Sequence, residues 1–350
     1  MNSAVFYDQV FAKKEEANKS KLAARMRKFN AILVSSFSVF LTQALIPSTA
    51  LGAVKEKGVD AALIEEAYNY IYPSYALSTF RWNALNETGG RTSTKLNQFV
   101  HQRSMTTPAD TWAASPLVDC LYSTAWLDLS AGPVIIETPD TGDRYYVLTL
   151  IDYFSGTFNY AGARTTGTAA QKYMVVAPDW QGTVPEGVKL VRSPTKDVYI
   201  NLRVAIDGVA DQAAANAVQD GFLLKQPGGG VSSRPASIKP IPESIENYFV
   251  MVNQALAFNP APDRDKEVMS RLRTVGICGA DCKWENLSES VRDAWRANFK
   301  RLTHQFDQAL NRPTTGSPNW INYARPGSKM GTAERSDFSM RAREISRGLA

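Results

Sequence analysis

The amino-acid sequence predicts an α+β fold that is mainly β, with antiparallel strands closing into a barrel or sandwich and a helical annex behind them. The first observation is a series of short stretches rich in Val, Ile, Tyr and Thr between Ala125 and Val204, separated by turn signals such as SAGP and PDTGD. The second is the lack of helical segments between these stretches, which leaves a parallel α/β sheet without its crossover helices. The third is a return to helical periodicity after Asp207.

Residues 1–53 have the parts of a secretory signal peptide behind a long basic leader. This segment holds seven Lys or Arg and three acidic residues, an apolar stretch, and then the small-residue sequence STALGA. Cleavage after Ala50, Gly52 or Ala53 fits equally, and translation starts at Met1 or at Met26. Polar residues interrupt the apolar stretch, so an uncleaved membrane anchor is the weaker alternative. We therefore expect a periplasmic or secreted protein.

The positive charge of the chain lies almost entirely in this leader. The formal net charge is +5, but 32 of the 39 basic and 31 of the 34 acidic residues follow residue 53. A nearly neutral body lacks the clustered basic surface that nucleic acid requires, so no nucleic-acid partner is expected.

Residues 54–205 are predicted to form an N-terminal helix and the β core. The helix begins at the N-cap Asp60, carries apolar residues at helical spacing and is expected to stop at Pro73. The predicted strands are Ala125–Leu129, Pro133–Thr138, Tyr145–Asp152, Tyr173–Ala177, Lys189–Arg192 and Val198–Val204.

Residues 206–350 are predicted to form the helical annex and a C-terminal segment. Helices are expected over residues 211–224, 243–260, 263–276 and 288–311, and a flexible connector rich in Pro, Gly and Ser over 225–242. The last helix has one apolar face, formed by Val291, Trp295, Phe299, Leu302 and Phe306.

The three cysteines divide into a pair and a single residue. Cys278 and Cys282 flank a short loop, and in an exported protein they form a structural disulfide or none; their three-residue spacing does not fit a catalytic CxxC motif. Cys120 lies in an apolar stretch and is expected to be a buried, inert thiol.

A family resemblance is carried by three stretches in order: VDCLYSTAWLDLSAGPVIIETPDTGDRYYVLTLIDYFSGTF, GARTTGT and SPTKDVYINLRVAIDG. They resemble the exported bacterial family described as domain of unknown function 1254, over roughly Ala61 to Leu349. The resemblance implies a jelly-roll-like β-barrel with helices at its back, and it implies no reaction. A jelly roll hosts binding proteins and enzymes alike, so the fold does not decide the function.

Two departures from the family pattern bear on function. Family members usually continue into a second domain, described as domain of unknown function 1214, so we expect a homo-oligomer or a partner chain to supply a second β-domain. Around Asp119, positions that in relatives often hold Asn and Thr are Leu117 and Cys120 here. The loss of these polar groups weakens the case for intact chemistry at Asp119.

Neither a metal ion nor another cofactor is expected. The two histidines, His101 and His304, are about 200 residues apart and belong to no metal-binding motif. A serine hydrolase is equally unsupported, because Ser123 in LYSTAW has no glycine-flanked elbow and no neighbouring histidine in the sequence.

A polar set within the aromatic strand region supplies the candidate site. Arg164 with the hydroxyls of Thr165 and Thr166 fits a carboxylate, phosphate or sulfate, and Asp119 or Asp152 would act as a general base if buried. Tyr and Trp side chains on a concave β face would stack on a sugar or aromatic ligand. The ligand-binding candidates are Tyr122, Trp126, Arg144, Asp152, Thr165 and Thr166, and the catalytic candidates are Asp119 and Arg164.

The same residues also fit a purely structural role, in which carboxylates and arginines pair with one another and fix turns; Arg164 would then be a buried charge paired with Asp119. The function predicted is therefore a binding or interaction module for a small-molecule or glycan ligand, with assembly on a partner chain. The alternative is a lyase or hydrolase of a small carboxylated or glycan-like substrate, with Arg164 holding the anion and Asp119 acting as acid or base.

Overall fold

The computed structural model describes residues 59–107, 117–228 and 230–310, with the side chains of residues 305–310 excepted. The predicted signal peptide with its start and cleavage sites, and the predicted C-terminal segment from residue 311, lie outside the described residues. Across these ranges, none of the helices is both long and apolar enough to cross a membrane.

The described chain is an α+β structure dominated by two sheets, as the sequence predicted. The helices are α1 (Ala61–Asn86), α2 (Gln212–Asp220), α3 (Ile245–Phe258), α4 (Lys266–Arg273) and α5 (Glu289–Leu310). The strands are β1 (Val100–His101), β2 (Cys120–Asp128), β3 (Val134–Thr138), β4 (Tyr146–Asp152), β5 (Thr157–Gly162), β6 (Gln171–Val176), β7 (Lys189–Arg192), β8 (Asp197–Ala205) and β9 (Leu223–Lys225).

The strands of the described chain form two separate sheets and no closed barrel, which corrects the barrel expectation. The larger sheet has the order β1-β2-β8-β4-β5 and is antiparallel throughout. The smaller sheet has the order β7-β6-β3-β9, and its β6–β7 pair is parallel. The 12 residues between β6 and β7 explain the parallel pair, because a connection of about a dozen residues can return the chain to the end where the previous strand began.

The two sheets face each other across one apolar core. Alternate residues of β4 are buried, as expected of a strand with one face on the core. All nine residues of β2 are buried, because α1 covers part of the outer face of the larger sheet. There Phe80 packs its ring on Trp126 and Tyr199, with centroids 5.7 and 5.3 Å apart.

The first helix begins as predicted but does not stop at Pro73. The Asp60 carboxylate accepts a hydrogen bond from Ala62 N and caps the helix. The helix then continues through Pro73 to Asn86. Tertiary packing outweighs the cost of the proline, since Ser74 and Arg81 beyond it are both buried and Ser74 Oγ donates to Tyr153 O.

Helices α3, α4 and α5 form a second core with the N-terminal part of α1. Four residues of the predicted apolar face of the last helix are buried here, namely Val291, Trp295, Phe299 and Leu302, and Trp295 Nε1 donates to Val275 O. The side chain of Phe306 lies outside the described residues. The predicted helix over 211–224 ends earlier, because residues after Gly221 leave it and pair with β3 as strand β9.

Candidate functional site

An open groove of about 430 Å³ lies between α3 and the loop that contains the two paired cysteines. This volume falls within the range of small-molecule sites, about 300–1,000 Å³. Most of the exposed surface inside the groove is apolar, and Val250 on its rim is 52% exposed. The residues that shape it are Phe249, Asn253, Gln254, Ala257, Gly279 and Trp284.

The loop wall of the groove is fixed to α3 by one buried amide. Asn253 Oδ1 accepts from Cys278 N at 3.0 Å and Gly279 N at 2.9 Å, and its Nδ2 donates to Phe249 O and Gly276 O. Cys278 and Cys282 are joined as a disulfide in the structure, which closes the loop. The groove therefore has a wall that is held both covalently and by satisfied hydrogen bonds.

An aromatic pair forms the deep side of this wall. Trp284 lies against Phe249 with ring centroids 4.8 Å apart and an interplanar angle of 60°. Arg296 covers the other side of Trp284 at 5.8 Å from its centroid. Lys283 and Glu285 flank the tryptophan on the exposed rim and give the groove its only charged lining groups among the described residues.

The opposite wall is the connector between β9 and α3, which is anchored rather than free. Gln254 Nε2 donates to Ala236 O at 3.1 Å, and Pro235 faces the groove. The preceding Arg234 reaches into the protein, where its Nε lies 2.9 Å from Asp197 Oδ1. Ser232 Oγ donates to the carboxylate of Asp128, which is also buried.

Asp197 is the centre of a buried charge cluster that holds this connector. Its carboxylate is fully buried and lies between Arg234 and Arg81, whose Nε is 3.6 Å away. Asn259 Nδ2 donates to the same carboxylate, and Arg81 Nη1 donates to Ser237 Oγ. Burial alone would lower the pKa of Arg234, but the charge of Asp197 raises it.

A cavity of about 10 Å³ lies beside this cluster, lined by Ser78, Arg234, Ser237 and Gln254 among others. Such a volume holds about one water molecule, so the cluster is a structural anchor for the groove wall and has no room for a substrate.

The sequence-predicted anion site around Arg164 is an exposed turn. Arg164 is exposed and lies over the ring of Tyr145, 5.6 Å from its centroid. Thr166 Oγ1 accepts from Gly162 N, and the hydroxyl of Thr165 points to carbonyl oxygens of the same turn. The expectation of Arg164 as a buried charge is therefore wrong, because the turn stands clear of the core.

Asp119 does not pair with Arg164. It is exposed just before β2, and its backbone carbonyl accepts from Ile206 N. No ion pair joins the two side chains in the part of the chain that the structure describes.

Three other predicted site residues have structural partners. Trp126 is 1% exposed within the aromatic cluster under α1, so its ring is not available for stacking. Asp152 Oδ1 accepts from Phe154 N and Gly156 N and thereby closes the turn after β4. Arg144 donates two hydrogen bonds to Asp211, which holds the pKa of that carboxyl down at about 2.

Tyr122 lies on the outer face of the larger sheet, opposite Arg203 of β8. The guanidinium of Arg203 lies over the Tyr122 ring, 5.5 Å from its centroid. Burial raises the pKa of Tyr122, whose hydroxyl accepts from Leu117 N at 2.9 Å. The guanidinium beside Tyr122 has no ion-pair partner among the residues that the structure describes.

No histidine neighbours Ser123 in the sequence, yet the fold places His101 beside it. The β1–β2 register sets His101 opposite Ser123, and His101 Nδ1 lies 2.8 Å from Ser123 Oγ. Gln219 Nε2 donates to the same hydroxyl at 2.8 Å. Ser123 is fully buried and burial lowers the pKa of His101 to about 4, so the three residues tie β1 and α2 to the sheet and cannot present a nucleophile.

Within the described ranges, no group of three or more His, Cys, Asp or Glu side chains is arranged to hold a metal ion.

Comparisons with known proteins bear on the fold and the family. No curated protein matches the chain. The crystal structure of the VPA0106 protein from Vibrio parahaemolyticus is similar, with 24% sequence identity and a TM-score of 0.56. The similarity covers 72% of this chain and 60% of that protein, so this chain spans less than two thirds of its length. At this identity the likeness supports the fold alone.

The sequence pattern of the family described as "Protein of unknown function (DUF1254)" matches residues 96–226. The matched segment runs from the start of the larger sheet to β9 and includes every strand of both sheets. The β part of this chain, residues 96–226, is therefore similar to the DUF1254 family.

Proposed function

We propose that the protein is a binding module that holds an apolar or aromatic group in the groove between α3 and the disulfide loop. The observation that carries the proposal is the groove itself, about 430 Å³ with mostly apolar walls. A mostly apolar cleft with a few polar groups is the usual form of a ligand site.

The fixed walls support a specific ligand rather than incidental adsorption. One wall is held by Asn253 and the disulfide, the other by Gln254 and the Arg234–Asp197 pair. Preorganised walls lower the entropy that binding must offset, and this favours affinity for one shape of ligand. Lys283 and Glu285 at the rim would contact polar substituents that point to solvent.

Other parts of the predicted function remain proposals. They are export by a cleaved signal peptide, the jelly-roll order of strand connections and assembly with a partner chain that supplies a second β-domain. The exposed apolar Val250 supports a groove that takes an apolar group from a ligand or from such a chain. Light scattering of the purified protein tests assembly, and a monomer at all concentrations would remove that part of the proposal.

The groove is tested by blocking it. Nile red is an uncharged aromatic dye that becomes fluorescent in an apolar site, and we expect saturable binding to the wild-type protein. Ala257→Trp places an indole inside the groove and should weaken this binding about tenfold or more, a loss of about 1.4 kcal/mol of binding free energy. Fluorescence titration measures the change.

The matched control is Ala214→Trp, which adds the same ring at an exposed alanine of α2. It should bind Nile red like the wild type. Binding that is not saturable, or equal loss in the two variants, would show that the groove is not the site.

A further inference from the structure

The outer face of β8 changes character along its length. By alternation, Asp197, Tyr199, Asn201 and Arg203 share this face, while the intervening residues point into the core between the sheets. The Asp197 and Tyr199 end is covered by α1 and the annex. The Asn201 and Arg203 end carries polar side chains that are half-buried.

Arg203 differs from the buried Arg81 and Arg234, both of which pair with Asp197, in having no carboxylate beside it among the described residues. Among the described residues, none of the acidic side chains lies within ion-pair distance of its guanidinium. Its Nε is shielded from solvent and has no hydrogen-bond acceptor. This Nε–H is withdrawn from water without an acceptor, which is unfavourable, while the side chain as a whole is only half-buried. A partner that accepts from the guanidinium would therefore be favourable.

A second polar atom without a hydrogen-bond partner lies on the same face. Asn201 Oδ1 is shielded from solvent and has no hydrogen-bond donor. Same-face neighbours on a strand are about 7 Å apart, so Asn201 and Arg203 can reach opposite sides of one small molecule. The two groups are complementary, since Arg203 offers donors and Asn201 offers an acceptor.

We propose that Arg203 and Asn201, with the ring of Tyr122 beneath the guanidinium, form a binding site for a small 2-hydroxy carboxylate. The carboxylate accepts two parallel hydrogen bonds from the guanidinium, whose planar fork matches its geometry. The neighbouring hydroxyl donates to Asn201 Oδ1. Tyr122 holds the guanidinium plane in place from below, 5.5 Å from its ring centroid.

This site is separate from the groove, because the residues that line the groove come from α3, the connector and the disulfide loop. Failure of one proposal therefore leaves the other standing.

The test uses three small probes on the full-length protein by isothermal titration calorimetry at pH 7. Lactate has both a carboxylate and a neighbouring hydroxyl, acetate has the carboxylate alone, and lactamide has no charge. We expect lactate to bind with a Kd below about 10 mM, acetate to bind about fivefold to tenfold more weakly, and lactamide not to bind.

Variants assign the contacts. Arg203→Gln should weaken lactate binding about tenfold or more, and Arg203→Lys should weaken it less, because an ammonium keeps the charge but loses the paired geometry. Asn201→Ala should bring lactate and acetate to similar affinities. If Arg203→Gln does not fold, the Lys variant and the lactate-to-acetate ratio of Asn201→Ala still decide the question.

Arg164→Gln is the matched control, because Arg164 also lies over a tyrosine ring but is exposed. It should leave lactate binding unchanged. The proposal is overturned by absence of lactate binding, by equal binding of lactate and lactamide, or by equal losses in the Arg203→Gln and Arg164→Gln variants.

Discussion

The two ends of β8 carry opposite charges on the same face of the sheet, and the groups that surround these charges differ. Asp197 at one end is fully buried and is met by two arginines and an asparagine. Arg203 at the other end is half-buried and, within the described residues, is met only by an aromatic ring. The comparison separates a charge that holds the fold together from a charge that is available to a ligand.

A third arrangement is found on β1, the edge strand of the same sheet. His101 is partly buried, and burial lowers its pKa to about 4, so that it stays neutral near pH 7. In this sheet Asp197 is therefore paired, His101 is neutral and Arg203 has no counter-charge among the described residues. Each of these arrangements predicts a different effect on the free energy of unfolding.

The largest loss of stability is expected at the Asp197 end of β8. Asp197→Asn keeps the shape of the side chain but leaves Arg81 and Arg234 without their shared counter-charge. Removing one partner from a buried ion pair costs about 3–5 kcal/mol, and we expect a loss of unfolding free energy in that range. Urea denaturation followed by circular dichroism measures it.

The control for this variant is Asp179→Asn, which breaks an exposed pair with Lys196. Exposed pairs contribute about 0–1 kcal/mol, so its stability should stay close to that of the wild type. Similar small losses in both variants would mean that Asp197 does not anchor the connector.

The sequence predicts much of the fold because the signals are local. β3, β4, β7 and β8 match the predicted strands to within about two residues, since alternation and turn residues mark them. Leu223 and Leu224 of β9 fall at the end of a predicted helix and Lys225 in the predicted connector, because these three residues become a strand only through pairing with β3. The predicted end of the first helix at Pro73 was wrong for the same reason, because long-range packing lets α1 continue beyond the proline.

The sites were harder to predict because they depend on strand register. Tyr122 was among the predicted residues but Arg203, the arginine beside it, was not, because only the β2–β8 pairing brings these two together. The cluster at Asp197 draws on α1, β8 and the connector. The groove was missed altogether, since its apolar residues look like ordinary helix core in the sequence.

An intermediate effect on stability is expected at His101, which burial keeps neutral. Because the folded protein binds the His101 proton less readily than the unfolded chain does, protonation favours unfolding as the pH falls from about 6.5 to about 4. Above about pH 7 His101 is neutral in both states, so its contribution to the unfolding free energy no longer changes with pH. The pKa difference corresponds to about 3 kcal/mol in full, and solvent screening of a half-exposed group reduces this to about 1–2 kcal/mol.

His101→Gln should remove this part of the acid sensitivity. Its unfolding free energy, measured between pH 7 and pH 4, should fall less steeply than that of the wild type. Parallel curves for the variant and the wild type would contradict neutralisation by burial.

The smallest effect, and the one that separates a ligand site from a structural charge, is expected at Arg203. If no counter-charge meets Arg203 in the free protein, Arg203→Gln breaks no ion pair and relieves a partly buried charge. Its unfolding free energy should then change by less than about 0.5 kcal/mol or increase.

Arg144→Gln is the comparison variant, at a residue just before β4 of the same sheet. It removes two hydrogen bonds to Asp211 and should be destabilising. The pair with Arg144 lowers the pKa of Asp211 to about 2, so this loss should be full above about pH 4 and fade as the pH falls towards 2. A destabilised Arg203→Gln protein with the same pH dependence would show that Arg203 is paired in the fold, and the two ends of β8 would then be alike.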